Sequence, residues 1–252
     1  MPQWLFRAKA FAKYFVKSRK GTLAHSPFVF DLARFCIYEN SKGKLGNINA
    51  YRKSLLNDHS LFQKEDFGTG KSRQEKVSAL ARSSSIRKKY GALLNRLVAY
   101  LKPKNILELG TCLGVSTAYL AQNANKLTTV EGCPNTQKSA TKHFKTAFNH
   151  HVNFINIDFD RFIKNDNGTY DFIFIDGNHA YAPTLAYFNH LWQQLPENGL
   201  IILDDIHWSE AMEKAWNEIT QNTPNLISID LFQIGLCFKK PNQAKEHFII
   251  RV

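Results

Sequence analysis

The chain has 252 residues, 44% hydrophobic and 13% aromatic, with 13 Gly and 8 Pro. Such a composition can bury a sizeable core, and it excludes a collagenous, low-complexity or disulfide-stapled chain. The formal charge of +12 is uneven: residues 1–102 carry 21 Lys and Arg against 6 Asp and Glu, residues 103–252 carry 12 against 15. An anionic partner would therefore meet the N-terminal part.

The opening segment MPQWLFRAKAFAKYFVKSRK is interrupted by Arg7, Lys9, Lys13 and Lys17, which suits neither a signal peptide nor a membrane span. On a helix, Trp4, Leu5, Ala8, Phe11, Ala12 and Phe15 form an aromatic, apolar stripe opposite a basic face. The plainer expectation is a helix docked on its own domain. The sharper one is a helix that binds an anionic surface, lipid or nucleic acid. HSPFVFDLARFCIY predicts a second helix with Pro27 at an early position, and His25 stands in a turn that could fold over a ligand as a lid. Residues 67–88, polar and basic with several Ser and Gly, read as a linker around a short helix. Gly68, Gly70 and Lys71 make only a weak phosphate-binding signal, because P-loop spacing and a preceding apolar strand are missing.

From Tyr90 the pattern alternates between helical periods and short β-rich runs. A helix to Leu101 stops before Pro103; NILELG, LTTVEG, NFINID, DFIFID and LIILDD follow, then ISIDLF, GLCFKK and HFIIRV. The expectation is an α/β fold: a Rossmann-like, doubly wound, mostly parallel seven-stranded sheet over residues 89–252, preceded by a basic helical extension over residues 1–88. Five apolar runs ending in an acid or glycine gather one site at the carboxyl ends of the strands.

Two constellations carry the chemistry. In the first, the strand ending at Glu108 enters the turn Gly110-Thr111-Cys112-Leu113-Gly114, and a helix begins near Val115 and Ser116. Glycines at 110 and 114 let the backbone approach a ligand, and helix-start amides favour a negative group. The next strand ends in Glu131, at a spacing suited to the ribose hydroxyls of an adenosyl ligand. In the second, DFIFI runs into Asp176-Gly177-Asn178-His179 and GLIIL into Asp204-Asp205. Three unpaired carboxylates repel one another, and a hard cation such as Mg²⁺ would relieve them.

ELGTCLGVS, with Lys89-Tyr90-Gly91 opening the preceding helix, resembles the class I S-adenosylmethionine-dependent methyltransferases over roughly residues 89–240. Within that class the chain is similar to the metal-dependent small-molecule O-methyltransferases related to the catechol and caffeoyl-CoA enzymes. The resemblance implies that Glu108, Gly110, Thr111, Gly114 and Ser116 surround the methionine part of the cofactor, that Glu131 holds the ribose, and that Asp158 meets the adenine edge. On its own, Asp158 also fits a strand-end cap. Asp176, Asp204 and Asp205 would hold the divalent ion, with Asp176 also facing the cofactor. The Asp-Asp pair, where catechol-type enzymes carry Asp-Asn, looks like the sugar O-methyltransferases related to macrocin O-methyltransferase.

His179 occupies the place of the catechol-type catalytic lysine, and an imidazole titrating near neutrality suits a general base. His179 could equally cap the next helix or contact Asp204 or Asp205. His207 and Trp208 are candidates for shaping an acceptor pocket. His143, His150 and His151 read as solvated surface residues. The four cysteines, Cys36, Cys112, Cys133 and Cys237, form no CxxC pair and fit reduced thiols in the cytoplasm.

The expected function is transfer of a methyl group to a small hydroxylated acceptor. Its rivals are a methyltransferase acting on nucleic acid or another large anionic partner, and a non-catalytic cofactor-binding interaction protein. A dinucleotide dehydrogenase is disfavoured by the loop spacing and by DFIFIDGNH.

Overall fold

The computed structural model describes residues 2–21, 25–39, 45–66 and 71–252, without the side chains at 65, 66, 71 and 72. Gly68 and Gly70 lie outside the described residues, as does the side chain of Lys71. The chain forms two compact units, Met1–Glu39 with Asn167–Val252, and Asn40–Asp166.

The first unit begins with α1 (Gln3–Lys17) and α2 (Pro27–Leu32), the latter carrying Pro27 in its first turn. Helix α1 does dock on its own unit, but only the Phe11 edge of the stripe takes part, its ring packing edge-on against Phe232 with centroids 5.0 Å apart. Helix α1 buries Ala10 and Tyr14, while Trp4, Phe11, Phe15 and Val16 are 71%, 49%, 48% and 83% exposed. Polar anchors choose the docking face. Tyr14 Oη donates to the Ile250 carbonyl, and Lys13 Nζ lies 3.1 Å from Glu213 Oε1. The segment after α1 joins the same region, with Arg19 N donating to Ile249 O at 3.0 Å and Arg251 N to Arg19 O at 2.9 Å.

The second unit holds α3 (Gly46–Asn57), β1 (Leu61–Asp66), β2 (Lys71–Lys76), α4 (Val77–Ser84), α5 (Lys88–Leu101), β3 (Asn105–Leu109), α6 (Val115–Ala121), β4 (Lys126–Glu131), α7 (Pro134–Ala147), β5 (Val152–Asn156) and α8 (Phe159–Asn165). The hairpin β1–β2, antiparallel from Leu61 opposite Lys76 to Asp66 opposite Lys71, replaces part of the expected irregular region and linker. Helix α5 ends at Lys102, whose left-handed φ of 50° turns the chain into Pro103. Gly91 lies against the ring of Tyr119, where any side chain would collide, so α5 packs closely on α6. Strands β3, β4 and β5 pair in that order, all parallel.

The first unit resumes with β6 (Phe172–Ile175), α9 (Tyr181–Gln194), β7 (Leu200–Leu203), α10 (Glu210–Asn222), β8 (Leu226–Asp230), β9 (Gly235–Lys239) and β10 (Glu246–Ile249). FIFI and LIIL are buried throughout, as expected of parallel strands covered on both faces. The order is β6-β7-β9-β8-β10: β6 and β7 are parallel, β9 is antiparallel to both neighbours, and β10 runs parallel to β8. β10, from the HFIIRV run, is an eighth strand beyond the expected seven. The architecture is the mostly parallel, Rossmann-like α/β fold.

Candidate functional site

In the second unit, β3 delivers Glu108 to the head of the glycine turn. Its carboxylate is fully buried, and Oε2 accepts from Thr117 Oγ1 at 2.5 Å and Thr129 Oγ1 at 2.7 Å. Thr129 spends its proton on Glu108, so Thr111, 2.6 Å away, donates to Thr129. The other oxygen, Oε1, is buried with no hydrogen-bond partner among the described residues. Burial drives the Glu108 pKa up to about 7, against the opposing hydroxyls of Ser116, Thr117 and Thr129.

The turn itself needs left-handed backbone at Gly110 (φ 111°), Cys112 (φ 47°) and Gly114 (φ 73°). Gly110 N and Thr111 N donate to Val130 O at 2.9 and 3.2 Å, tying the turn to β4. Tyr51 Oη donates to Leu113 O at 2.6 Å and braces the turn from α3. Glu131, at the end of β4, accepts from Cys112 N through Oε2 at 2.9 Å and from Cys133 N through Oε1 at 3.0 Å. Burial raises its pKa, while those amides and the positive charge of Lys64 on β1 oppose the rise. These residues fit the cofactor that the sequence suggests: an orphaned buried acceptor suits an ammonium group, the open turn admits close approach, and Glu131 retains lone pairs for sugar hydroxyls.

A Glu108→Gln substitution gives a pH-dependent stability difference. The folded state holds the Glu108 proton up to about 7, against roughly 4.3 for an unfolded glutamate. The stability of the protonated form is present below the unfolded pKa and lost as pH rises through the folded one. Between pH 5 and 8 the stability difference should move in the variant's favour by up to about 3 kcal/mol. Urea unfolding at both pH values checks this, and parallel curves would refute it.

Asp158 caps α8: its side chain accepts from Arg161 N at 2.9 Å and pairs with Arg161 Nε at 3.3 Å. The strand-end cap reading thus describes its present partners. Ser116 opens α6.

In the first unit, Asp176 follows β6, while Asp204 and Asp205 follow β7. Asp204 is buried, its N–H donates to Ile175 O at 3.0 Å, and Gln233 Nε2 lies 3.5 Å from its Oδ1. Burial first, then repulsion from Asp176 and Asp205, holds the Asp204 pKa well above the ordinary carboxylate range. Asp205 takes a left-handed φ of 53°. His179 Nε2 lies 3.5 Å from Asp176 Oδ1, and the N-cap position of α9 is taken by Ala180. The three acids thus share one electrostatic environment, and their donor chemistry fits a hard cation. Among the described residues, however, no three acid, thiol or imidazole side chains stand arranged to hold a metal ion.

Two of the remaining histidines depart from expectation, while His150 and His151 are exposed as expected. His207 is buried with Nε2 2.8 Å from Asp230 Oδ2 and Nδ1 3.8 Å from Glu213 Oε2, an internal ion cluster rather than an acceptor wall. Trp208 lies under Arg7, 4.3 Å from the guanidinium carbon. His143 is not simply solvated: Nε2 lies 2.8 Å from Asp58 Oδ2 and Nδ1 2.8 Å from Ser139 O. His25 lines a basic cavity with Lys17 and Arg19. Sequence reasoning missed Thr117, Thr129, Tyr51 and Lys64. Only the threonine pair in LTTVE, one β-period from Glu131, offered a signal.

Residues 107–206 match the methyltransferase domain family. The protein-L-isoaspartate O-methyltransferase of Shewanella woodyi is 29% identical over 141 residues, covering 56% of this chain; the chain matches only 64% of that relative's length. The S-adenosylhomocysteine-bound methyltransferase PaMTH1 of Podospora anserina superposes with a TM-score of 0.62 at 17% identity, over 86% of this chain and 97% of that one. An O-methyltransferase of Bacillus cereus in complex with S-adenosylhomocysteine gives 0.54 at 19% identity, over 63% and 84%. The resemblance read from the glycine turn is supported to this extent: residues 107–206 match a methyltransferase domain family, and the chain has the fold of these S-adenosylhomocysteine-bound methyltransferases.

Proposed function

We propose that this chain is an S-adenosylmethionine-dependent methyltransferase acting on the oxygen of a small hydroxylated acceptor, with a divalent cation, Mg²⁺ foremost, held by Asp176, Asp204 and Asp205. The observation that carries the reading is Glu108, a buried carboxylate with an unpartnered oxygen at the head of the left-handed turn, followed one strand later by the amide-held Glu131. The relatives bound to S-adenosylhomocysteine support the cofactor. The work is cytoplasmic in this reading, consistent with cysteines that form no disulfide among the described residues.

The cofactor supplies an electrophilic methyl group and the cation a Lewis acid that lowers the pKa of a bound hydroxyl. The chain's own residues do the rest. Glu108 accepts from the cofactor's ammonium through Oε1, and Glu131 accepts from ribose hydroxyls while holding the turn in shape. Asp204 and Asp205 orient the acceptor, Asp176 steadies the His179 ring from the Nε2 side, and Nδ1 of His179 takes the acceptor's proton.

Substituting Asp176 with Ala should abolish divalent-ion binding and lower turnover by at least about a hundredfold, while S-adenosylmethionine binding stays within a few-fold. The assay measures methyl transfer to a catechol, a hydroxylated sugar and an isoaspartyl peptide, with Mg²⁺ or EDTA, beside calorimetric titration of the ion. Unchanged turnover in the variant would remove the metal and its base from the mechanism. Transfer to the isoaspartyl peptide alone would move the acceptor from hydroxyl to carboxylate.

A further inference from the structure

Helix α1 turns its hydrocarbon outward. Trp4 and Val16 are its most exposed large apolar residues, with Phe11 and Phe15 about half exposed beside them. Trp4, Phe15 and Val16 share the face bearing Ala8 and Ala12, away from Ala10 and Tyr14, while Phe11 stands at its edge with its ring against Phe232. An apolar helix face left to water is costly unless something covers it. The first acid of the sequence is Asp31, after six Lys and Arg. The guanidinium of Arg251 lies 3.9 Å over the Phe15 ring, adding a cation at the C-terminal end of the helix. Beyond it, a cavity of about 320 Å³ is lined by Lys17, Arg19, Lys20, His25 and His247 and by no acid.

We propose that this face docks the protein on an anionic lipid surface, with α1 lying flat, Trp4 and Val16 entering the headgroup boundary, and the surrounding cations meeting lipid phosphates. At 15 residues the helix is about 22 Å long, and no helix among the described residues is long and apolar enough to cross a membrane. It lies on the bilayer, with lysine stems reaching past the apolar face to the headgroups. A second copy of the chain is the poorer occupant, because two such faces would bring like-charged rims together. Nucleic acid is poorer too: phosphates call for cations, and the aliphatic Val16, Ala8 and Ala12 offer no ring on which a base could stack.

The test uses the full chain in flotation with vesicles of phosphatidylcholine alone or mixed seven to three with phosphatidylglycerol, at low salt and at about half-molar salt. The expected result is flotation with the anionic vesicles only, weakened by salt, and weakened about tenfold in the double variant Trp4→Ser, Val16→Ser. Both side chains are exposed, so the variant should keep the wild-type circular dichroism and melting curve. Lys9→Glu, on the flank of the face, should weaken binding without removing apolar contact. Failure to float with anionic vesicles, or equal flotation of the serine variant, overturns the proposal. So does a wild-type dimer in light scattering that the serine variant abolishes, which would give the face to a second copy. Binding of a single-stranded oligonucleotide that depends on Trp4, without flotation, would give it to nucleic acid. None of these readouts depends on methyl transfer.

Discussion

Glu131→Ala should raise the dissociation constant for S-adenosylmethionine by roughly a hundredfold or more, and should also lower the unfolding midpoint, because the Cys112 and Cys133 amides lose their acceptor. Both oxygens of Glu131 already accept backbone amides, from Cys112 and Cys133, so the side chain does two things. It fixes Cys112 in left-handed backbone at φ 47°, and it presents the carboxylate's remaining lone pairs to a diol. Hydrogen bonds to a charged partner contribute about 1.5–3 kcal/mol each, and losing two to a bound sugar accounts for the hundredfold. Glu131→Gln is nearly as damaging, because an amide NH₂ would turn a donor toward one of two N–H groups. Calorimetric titration of both variants with S-adenosylmethionine, beside NAD, reads this directly. Wild-type affinity in Glu131→Ala would end the ribose assignment, and NAD binding in preference would return the site to a dehydrogenase.

His207→Ala should cost about 3–4 kcal/mol of stability near pH 6, the usual penalty for removing one partner of a buried ion pair. Burial alone would lower the His207 pKa, but Asp230 and Glu213 hold it up to about 9, while His207 and then Lys13 take Glu213 down to about 2. The signs define a window. The histidine's contribution is complete below its unfolded value, about 6.5, and is lost as pH rises through 9. Glu213 contributes above its unfolded value, about 4.3, and loses its effect as pH falls toward 2. The cost of His207→Ala should therefore be greatest between about pH 4.5 and 6.5 and shrink by pH 9.5. Urea unfolding of both proteins at pH 6 and 9.5 measures it. A pH-independent difference would mean that His207 acts through packing alone.

Much of the catalytic half was legible because its signals are local. The runs of β6 and β7 are too apolar for anything but a covered parallel strand, Pro103 stops α5, and the glycines at 110 and 114 announce positive φ. The hairpin β1–β2 was not legible: LFQKED and KSRQEK have little alternation of apolar and polar residues, and only pairing with each other makes them strands. The α1 stripe misled for another physical reason. Amphipathicity reports that a helix has an apolar face without saying which surface will cover it, and here a tyrosine hydroxyl, an ion pair and the packing of Phe11 and Tyr14 on Phe232 accompany the orientation. His143 and His207 were underrated because their acidic partners lie 85 and 23 residues away. At the carboxyl ends, sequence could name Asp176, Asp204 and Asp205 but could not tell how burial would split their proton affinities.

The anchor of Tyr14 on the Ile250 carbonyl spans 236 residues, and its consequence lies in the order of synthesis. The docking place of α1 does not exist until Ile250 has been added, whereas Asn40–Asp166 forms a compact unit from one continuous stretch. At translation rates of about 5–20 residues per second, α1 waits roughly ten to fifty seconds after emerging before its intramolecular partner exists. During that interval the nascent helix offers water both its faces. A ribosome working beside an anionic bilayer would give its outward aromatic face a resting place before the rest of the protein is made.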